Sequence, residues 1–382
     1  MTSAFVFSYL CLNLATVPEP PSASTASANG PQIETVEAPI DPELTVTLGL
    51  ELFTSYRYVA TESESEAHAF SLDRGHVLTG LAYKGISANV MMEAVASATG
   101  GAIFGVAEQS VLLRVRQAYA GYTDGTWFDI RAGIVPTLTA PALQRAWQTR
   151  VISAVSPRRT KLLDPADFGA NIRIHLPLQL GWLGLGVYNG DGYTAREFNN
   201  NKSVEATLLL RPFATLADDL PLWLTAGFIY GSTGPANVRA DRLVASLAWA
   251  SSAVGVGATV TYAWGVSDHG GRESLLASGW LRGNPWRGLL LVARVSHWLR
   301  DADVKTDTIS RFTGAVGYRV LRPLEVFISG EYNLPGDAFS SAAPYDNGWS
   351  VGLRVRVALT GQFSMNASEQ REPTVSSTRA DR

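Results

Sequence analysis

Five basic side chains crowd one segment of this 382-residue chain. Arg145, Arg150, Arg158, Arg159 and Lys161 fall within 137–166, where Asp164 is the one acidic residue. The formal net charge of the whole chain is −3, so this basic excess is a local feature. Positive charge gathered in a partly dehydrated space raises the local concentration of anions and disfavours cations. Basic pairs also stand two residues apart inside apolar runs: Arg114 with Arg116, and Arg354 with Arg356 in WSVGLRVRVALTGQF. A spacing of two places both members on one face of a β-strand.

Other chemistries find little to work with. Cys11 is the single cysteine, which excludes an intrachain disulfide and a cysteine-based metal cluster. The five histidines, His68, His76, His175, His269 and His297, have no metal-ligand spacing, and each reads as a rim or lumen residue. No Gly-x-Ser-x-Gly elbow and no phosphate-binding Gly-rich loop before a helix occurs, and Gly184-x-Gly186 lies in a strand pattern. The expectation is a chain that is not an enzyme and uses no cofactor or metal. Asp268-His269 in a loop carries the minor alternative of a hydrolase acting at the rim of a barrel. A pI near 6 argues against a nucleic-acid partner.

What must position the basic residues is a set of strands. From Leu44 onward the chain alternates with period two, as in LTVTLGLELF, where Leu44, Val46, Leu48, Leu50 and Leu52 oppose Thr45, Thr47, Gly49 and Glu51. Such segments recur near 68–82, 84–98, 110–122, 127–136, 167–177, 179–189, 202–213, 221–231, 240–251, 253–266, 272–283, 286–300, 308–320, 323–333 and 348–363. With the first, that predicts about sixteen strands, roughly 10 to 15 residues each, long enough to cross a bilayer at a tilt. Long connectors (57–67, 99–109, 137–166, 190–201, 334–347) alternate with tight turns. The fold expected is all-β: a transmembrane antiparallel barrel with short periplasmic turns, long external loops and both termini inside. Trp127, Phe168, Trp223, Trp264, Trp280, Trp286, Trp298, Tyr332, Trp349 and Phe363 fall near strand ends, where aromatic rings favour the membrane interface.

Parity then sorts the charges. Leu113, Val115 and Tyr119 share one face of their strand and Arg114 and Arg116 the other; Phe128, Ile130 and Ile134 oppose Asp129 and Arg131; Ile172 and Ile174 oppose Asn171, Arg173 and His175. Arg294, Arg319, Glu325, Glu331, Arg354 and Arg356 follow the same rule. An Arg or Lys facing midplane lipid costs about 2–4 kcal/mol, so these residues are expected to line a hydrated lumen, which sixteen strands leave wide enough. The basic segment 137–166 is the third external loop by this count. Two placements suit it: folded into the barrel as a positive constriction, or lying outside and bridging lipopolysaccharide phosphates.

Three stretches carry a family resemblance: RVRQAYAGYTDGTWFDIRAGIVPTL, DPADFGANI and LGLGVYNGDGYTAREFNNNKSVEATLLLRPF, together covering roughly 110 to 213. In this order they resemble the phosphate-selective outer-membrane porins. The resemblance implies a sixteen-stranded, homotrimeric barrel in the bacterial outer membrane, narrowed by its third loop and lined by basic residues that pass small anionic solutes such as phosphate. Arg145, Arg150, Arg158, Arg159 and Lys161 would then be the constriction and anion contacts. The chain departs from that pattern in carrying Glu51, Asp129, Glu325 and Glu331 on the same faces, and in 19 residues beyond Phe363. A barrel without conduction remains the alternative, should the third loop occlude the lumen.

The ends complete the organisation. Residues 1–28 read as an atypical signal peptide: MTSAFVFSYLCLNLA supplies an apolar core and Ala26-Ser27-Ala28 a cleavage site, but no basic residue precedes Arg57. Residues 29–43 form a flexible lead-in, 44–363 the barrel, with Phe363 as its terminal aromatic, and 364–382 a disordered polar tail.

Overall fold

A computed structural model describes residues 43–60, 67–96, 111–194, 200–214, 221–233, 237–266, 269–339 and 348–366. The leader, the lead-in up to residue 42 and the tail from residue 367 lie outside the described residues. The strands are β1 (Glu43–Ala60), β2 (Ala67–Tyr83), β3 (Ile86–Ala96), β4 (Val111–Thr123), β5 (Phe128–Pro136), β6 (Ala166–Leu176), β7 (Gly181–Tyr188), β8 (Ser203–Leu210) and β9 (Leu222–Tyr230). After a two-residue ladder of β10 (Ser232–Thr233) with β11 (Val238–Arg239) come β12 (Asp241–Ala250), β13 (Val254–Val266), β14 (His269–Gly283), β15 (Leu289–Leu299), β16 (Thr308–Leu321), β17 (Leu324–Pro335) and β18 (Gly348–Asn366). Between β5 and β6 stand the helices α1 (Thr139–Trp147) and α2 (Ser156–Arg159).

Sixteen of these strands close a barrel in which each pairs antiparallel with its sequence neighbour, β10 and β11 standing apart, and β1 pairs with β18. Closure leaves no strand edge, which lipid would not tolerate. The seam runs from Glu43 opposite Asn366 to Ala60 opposite Trp349, so pairing continues three residues past Phe363 and the barrel is slightly longer than the apolar pattern marks. Turns on one rim are tight, as at Lys84-Gly85, where both residues take positive φ and match the twist of a two-residue hairpin. Connections on the other rim are longer, except that β14 begins at His269 and only residues 267–268 join it to β13. His269 is therefore a strand residue; Asp268 lies outside the described residues.

Outward side chains form an exposed apolar belt that includes Leu291, Val295, Val316, Ile328, Val351 and Leu353. Such a belt around a closed sheet is the lipid-facing surface of a membrane-spanning barrel. No described helix is long and apolar enough to cross a membrane. Trp127, Phe168, Trp286, Tyr332, Trp349 and Phe363 are exposed, as an interfacial girdle requires.

Three sequence expectations fail locally. Trp280 and Trp298 are buried inside the barrel, and Trp223 packs against the same interior core, so strand-end position alone does not make a girdle residue. Tyr119 is buried, not grouped with exposed Leu113 and Val115, because a bulge in the β3–β4 pairing brings both Arg116 and Gln117 inward and reverses the parity beyond them. The inner wall is also not uniformly polar: Val244, Ala248, Leu290, Val292, Ala315 and Phe327 face inward as a buried apolar patch spread over β12 and β15–β17. The partner of that patch is the loop between β5 and β6.

Candidate functional site

The 137–165 loop is folded inside the barrel, and each part of it has an identifiable anchor. The backbone N–H groups of Leu138 and Thr139 donate to Glu205 Oε2 and Oε1 at 2.9 and 2.8 Å, so a carboxylate on β8 supplies the N-terminal cap that α1's own side chains do not. A negative charge at that helix end also complements the macrodipole. The hydroxyls of Thr139 and Thr207 lie 2.7 Å apart beside it. Ala140, Leu143, Ala146 and Trp147 form the buried face of α1 against the apolar wall patch, where Trp147 meets Trp280 edge-on at 5.6 Å. Gln148 ends the helix in the left-handed region. Val151, Ile152 and Val155 extend the same core, at about 1.5–3 kcal/mol for each large side chain buried.

Arginines from the wall hold the rest of the loop. Arg294 donates to the Ala154 carbonyl at 2.7 Å and to Ser153 Oγ at 2.5 Å, and Arg242 donates to the Leu162 carbonyl at 3.2 Å. Arg159 reaches outward to form a two-pronged ion pair with Glu331 on β17. Lumen-facing charge thus serves partly as scaffolding: Arg159, expected to contact anions, and Arg294, expected to line the lumen, both seat the loop.

Opposite the apolar patch lies a charge cluster built on β1–β4. Glu93 is fully buried and takes Arg114 through Nε at 3.0 Å and Nη2 at 2.8 Å on Oε2, with Arg116 and Arg74 at 3.2 and 3.3 Å on Oε1 and His76 Nε2 standing 3.3 Å from that same oxygen. His76 Nδ1 stands 3.2 Å from Glu51 Oε2, while Arg116 Nη1 and Arg150 Nη2 approach Nε2 at 2.9 and 3.1 Å. With two guanidinium donors aimed at Nε2, a neutral imidazole carrying its proton on Nδ1 satisfies the most contacts. Arg150 thereby docks the loop tip to β1 and β2; its guanidinium also lies 5.6 Å from the Phe53 ring. Arg356 bridges Glu51 and Glu325, both at 3.0 Å, and Arg319 shares Glu325. Five arginines (74, 114, 116, 150 and 356) therefore converge on Glu51 and Glu93, an excess of positive charge in a confined space.

Arg158 adds to that excess. Its guanidinium has no ion pair or hydrogen bond among the described residues, and desolvation together with Arg116, Arg74 and Arg150 pushes its pKa well below the usual value. An arginine stays protonated regardless, so the shift expresses a cation held where an anion would be welcome. Lys161 is exposed on the same loop, and Arg145 lies over the Trp223 ring at 5.4 Å.

The remaining lumen-lining candidates form two groups. Arg131, Arg173 and His175 all gather on Asp129, at 3.0, 2.9 and 3.1 Å, close to a tight-turn rim. Arg354 donates to Ser329 Oγ at 2.8 Å and stands 3.8 Å from Asp73. Sequence reasoning passed over Arg74, Glu93, Tyr193 and Glu205. Parity along β2, β3 and β8 places Glu93 and Glu205 inward and was available as a signal; nothing local marks Tyr193.

No protein-family model and no curated protein matches the sequence. Solved structures match the fold. The anion-selective porin from Comamonas acidovorans superposes with a TM-score of 0.62 at 12% identity, over 83% of this chain and 100% of that one. OmpT of Vibrio cholerae in its trimer form gives 0.53 at 13% identity, over 83% and 99%. Salmonella typhi OmpF, in a complex with daunomycin, gives 0.56 at 10% identity, over 82% and 97%. At these identities the likeness extends to the architecture: this chain folds as the sixteen-stranded barrel that outer-membrane porins share.

Proposed function

We propose that this chain is an outer-membrane porin that lets small hydrophilic solutes diffuse passively and prefers anions, phosphate or a similar oxyanion among them. The observation that carries the anion preference is Arg158, a cation with no ion pair or hydrogen bond among the described residues, set beside Arg74, Arg116 and Arg150 on an inward-folded loop. The constriction set on that loop is Arg145, Arg150, Arg158 and Lys161, with Arg159 as its anchor. The barrel's likeness to an anion-selective porin supports the reading, and the trimer form of the OmpT structure supports a homotrimer surrounded by outer-membrane lipid and lipopolysaccharide.

A second reading, a barrel that does not conduct, is favoured by one feature: the loop packs inside the barrel as part of an apolar core reaching from Phe53 on β1 to Phe327 on β17. Single-channel recording of the purified protein in planar bilayers, with the reversal potential measured under a salt gradient, separates the two. Conductance with an anion-sided potential is expected. Absence of conductance removes the porin reading, and a cation-sided potential removes the anion preference alone.

A further inference from the structure

Residues 189–194, which follow β7, also reach the lumen. Asn189 N–H donates to the Phe168 carbonyl at 2.9 Å, Gly190 N–H to Asp167 Oδ2 at 2.9 Å, and Tyr193 N–H to the Ala166 carbonyl at 3.1 Å, so three successive anchors fix this short segment onto β6. Gly190 and Gly192 take φ of +102° and +75°, and a Cβ on Gly192 would come within 2.8 Å of the Asp164 carboxyl carbon. The backbone can follow this path only with glycine there. Its effect is to aim Tyr193 back across β4 and β5 at the charge cluster. The phenol donates to Glu93 Oε2 at 2.6 Å, accepts from Arg114 Nη2 at 3.1 Å, and lies with its ring 5.0 Å from the Arg114 guanidinium.

From this geometry we infer that Tyr193 is a specificity-determining residue of the constriction, a strap from a second loop that holds Glu93 and Arg114 together and keeps the carboxylate turned away from passing solute. The inference rests on the porin reading. Glu93 is the carboxylate on which Arg74, Arg114 and Arg116 gather, so its position tempers the positive charge of that cluster. A carboxylate whose oxygens are all engaged is fixed in place; with the phenol removed, Oε2 keeps Arg114 as its remaining close donor and gains freedom to swing toward the lumen. Burial and Glu93 raise the phenol's own pKa, so Tyr193 remains a donor at neutral pH. The ring also occupies lumen volume next to the β3–β4 wall, which makes it a steric as well as an electrostatic element.

Two substitutions separate those roles. Tyr193→Phe keeps the ring and removes the hydroxyl: unitary conductance is expected to stay near that of the parent while the anion-to-cation permeability ratio falls, by about two- to fivefold. Tyr193→Ala removes both, and conductance is expected to rise by about half or more as the ratio falls. Tyr193→Phe in a Glu93→Gln background is expected to leave the permeability ratio where Glu93→Gln alone sets it, because the hydroxyl acts through that carboxylate. Circular dichroism checks that each variant retains the barrel. A conducting parent whose permeability ratio is untouched by Tyr193→Phe overturns the inference and leaves the porin reading standing. A parent that does not conduct overturns both.

Discussion

Arg158→Glu is the sharpest test of the charge argument, because the substitution changes one unpaired side chain and spares every anchor of the loop. Arg159 is kept, since a glutamate there would face Glu331 and unseat the segment. Reversing Arg158 changes the local charge by two units. A unit charge about 4 Å away in a water-like channel is worth about 1 kcal/mol, and several times that where protein excludes water. The reversal therefore costs a monovalent anion at the constriction about 2 kcal/mol or more, roughly a thirtyfold loss of local partitioning at about tenfold per 1.4 kcal/mol. Reversal potentials across a tenfold salt gradient read this directly and should cross to the cation side. Screening supplies an internal control: the Debye length falls from about 10 Å at 0.1 M to about 3 Å at 1 M, so the shift should shrink at high salt. An unmoved potential at 0.1 M would place Arg158 off the conduction path and refute the reasoning, as would a shift of equal size at both salt concentrations.

Two further outcomes follow from the same geometry. Glu205→Gln keeps the side chain's shape but leaves one of the two α1 N–H donors facing an amide, at a cost of about 1–3 kcal/mol in loop docking. A Ser156→Cys reporter, buried in the parent, should then react with a soluble thiol reagent roughly 5- to 150-fold faster, and an unchanged rate would deny Glu205 its anchoring role. Asp164 governs the pH response: lumen water reaches it, yet desolvation and Asp167 push its pKa up to about 6, with Arg158 among the opposing charges. Above pH 6 its negative charge offsets the nearby cations; as pH falls through 6 it is neutralised, so the anion preference should strengthen. Asp164→Asn should remove that step, and a selectivity flat from pH 7 to 5 in the parent would contradict the assignment.

Much of the architecture was legible in order along the chain. Period-two alternation identified the barrel strands because a side chain's face depends only on its own position, and Arg354 and Arg356 inside WSVGLRVRVALTGQF already announced a wet face. Length and turn chemistry did the rest, with errors confined to ends such as Ser364–Asn366 and the 267–268 turn. Parity failed at Arg116-Gln117, since a bulge is a relation between two strands and leaves no mark on one alone.

The basic loop divides the two kinds of information most clearly. Composition determined that 137–166 is positive and that lumen-facing arginines are numerous, and the cost of charge in lipid was enough to assign their face. Composition could not tell which of those cations would be free. Arg159 meets Glu331 across 172 residues, Tyr193 meets Glu93 across 100, and Glu205 caps a helix 66 residues away. Each pairing depends on which segments the closed barrel brings face to face, and the apolar inner wall of Leu290, Val292 and Phe327 makes sense only once α1 lies on it. Local periodicity decides which way a side chain points; the folded barrel alone decides what it meets there, and so which positive charges remain for a solute.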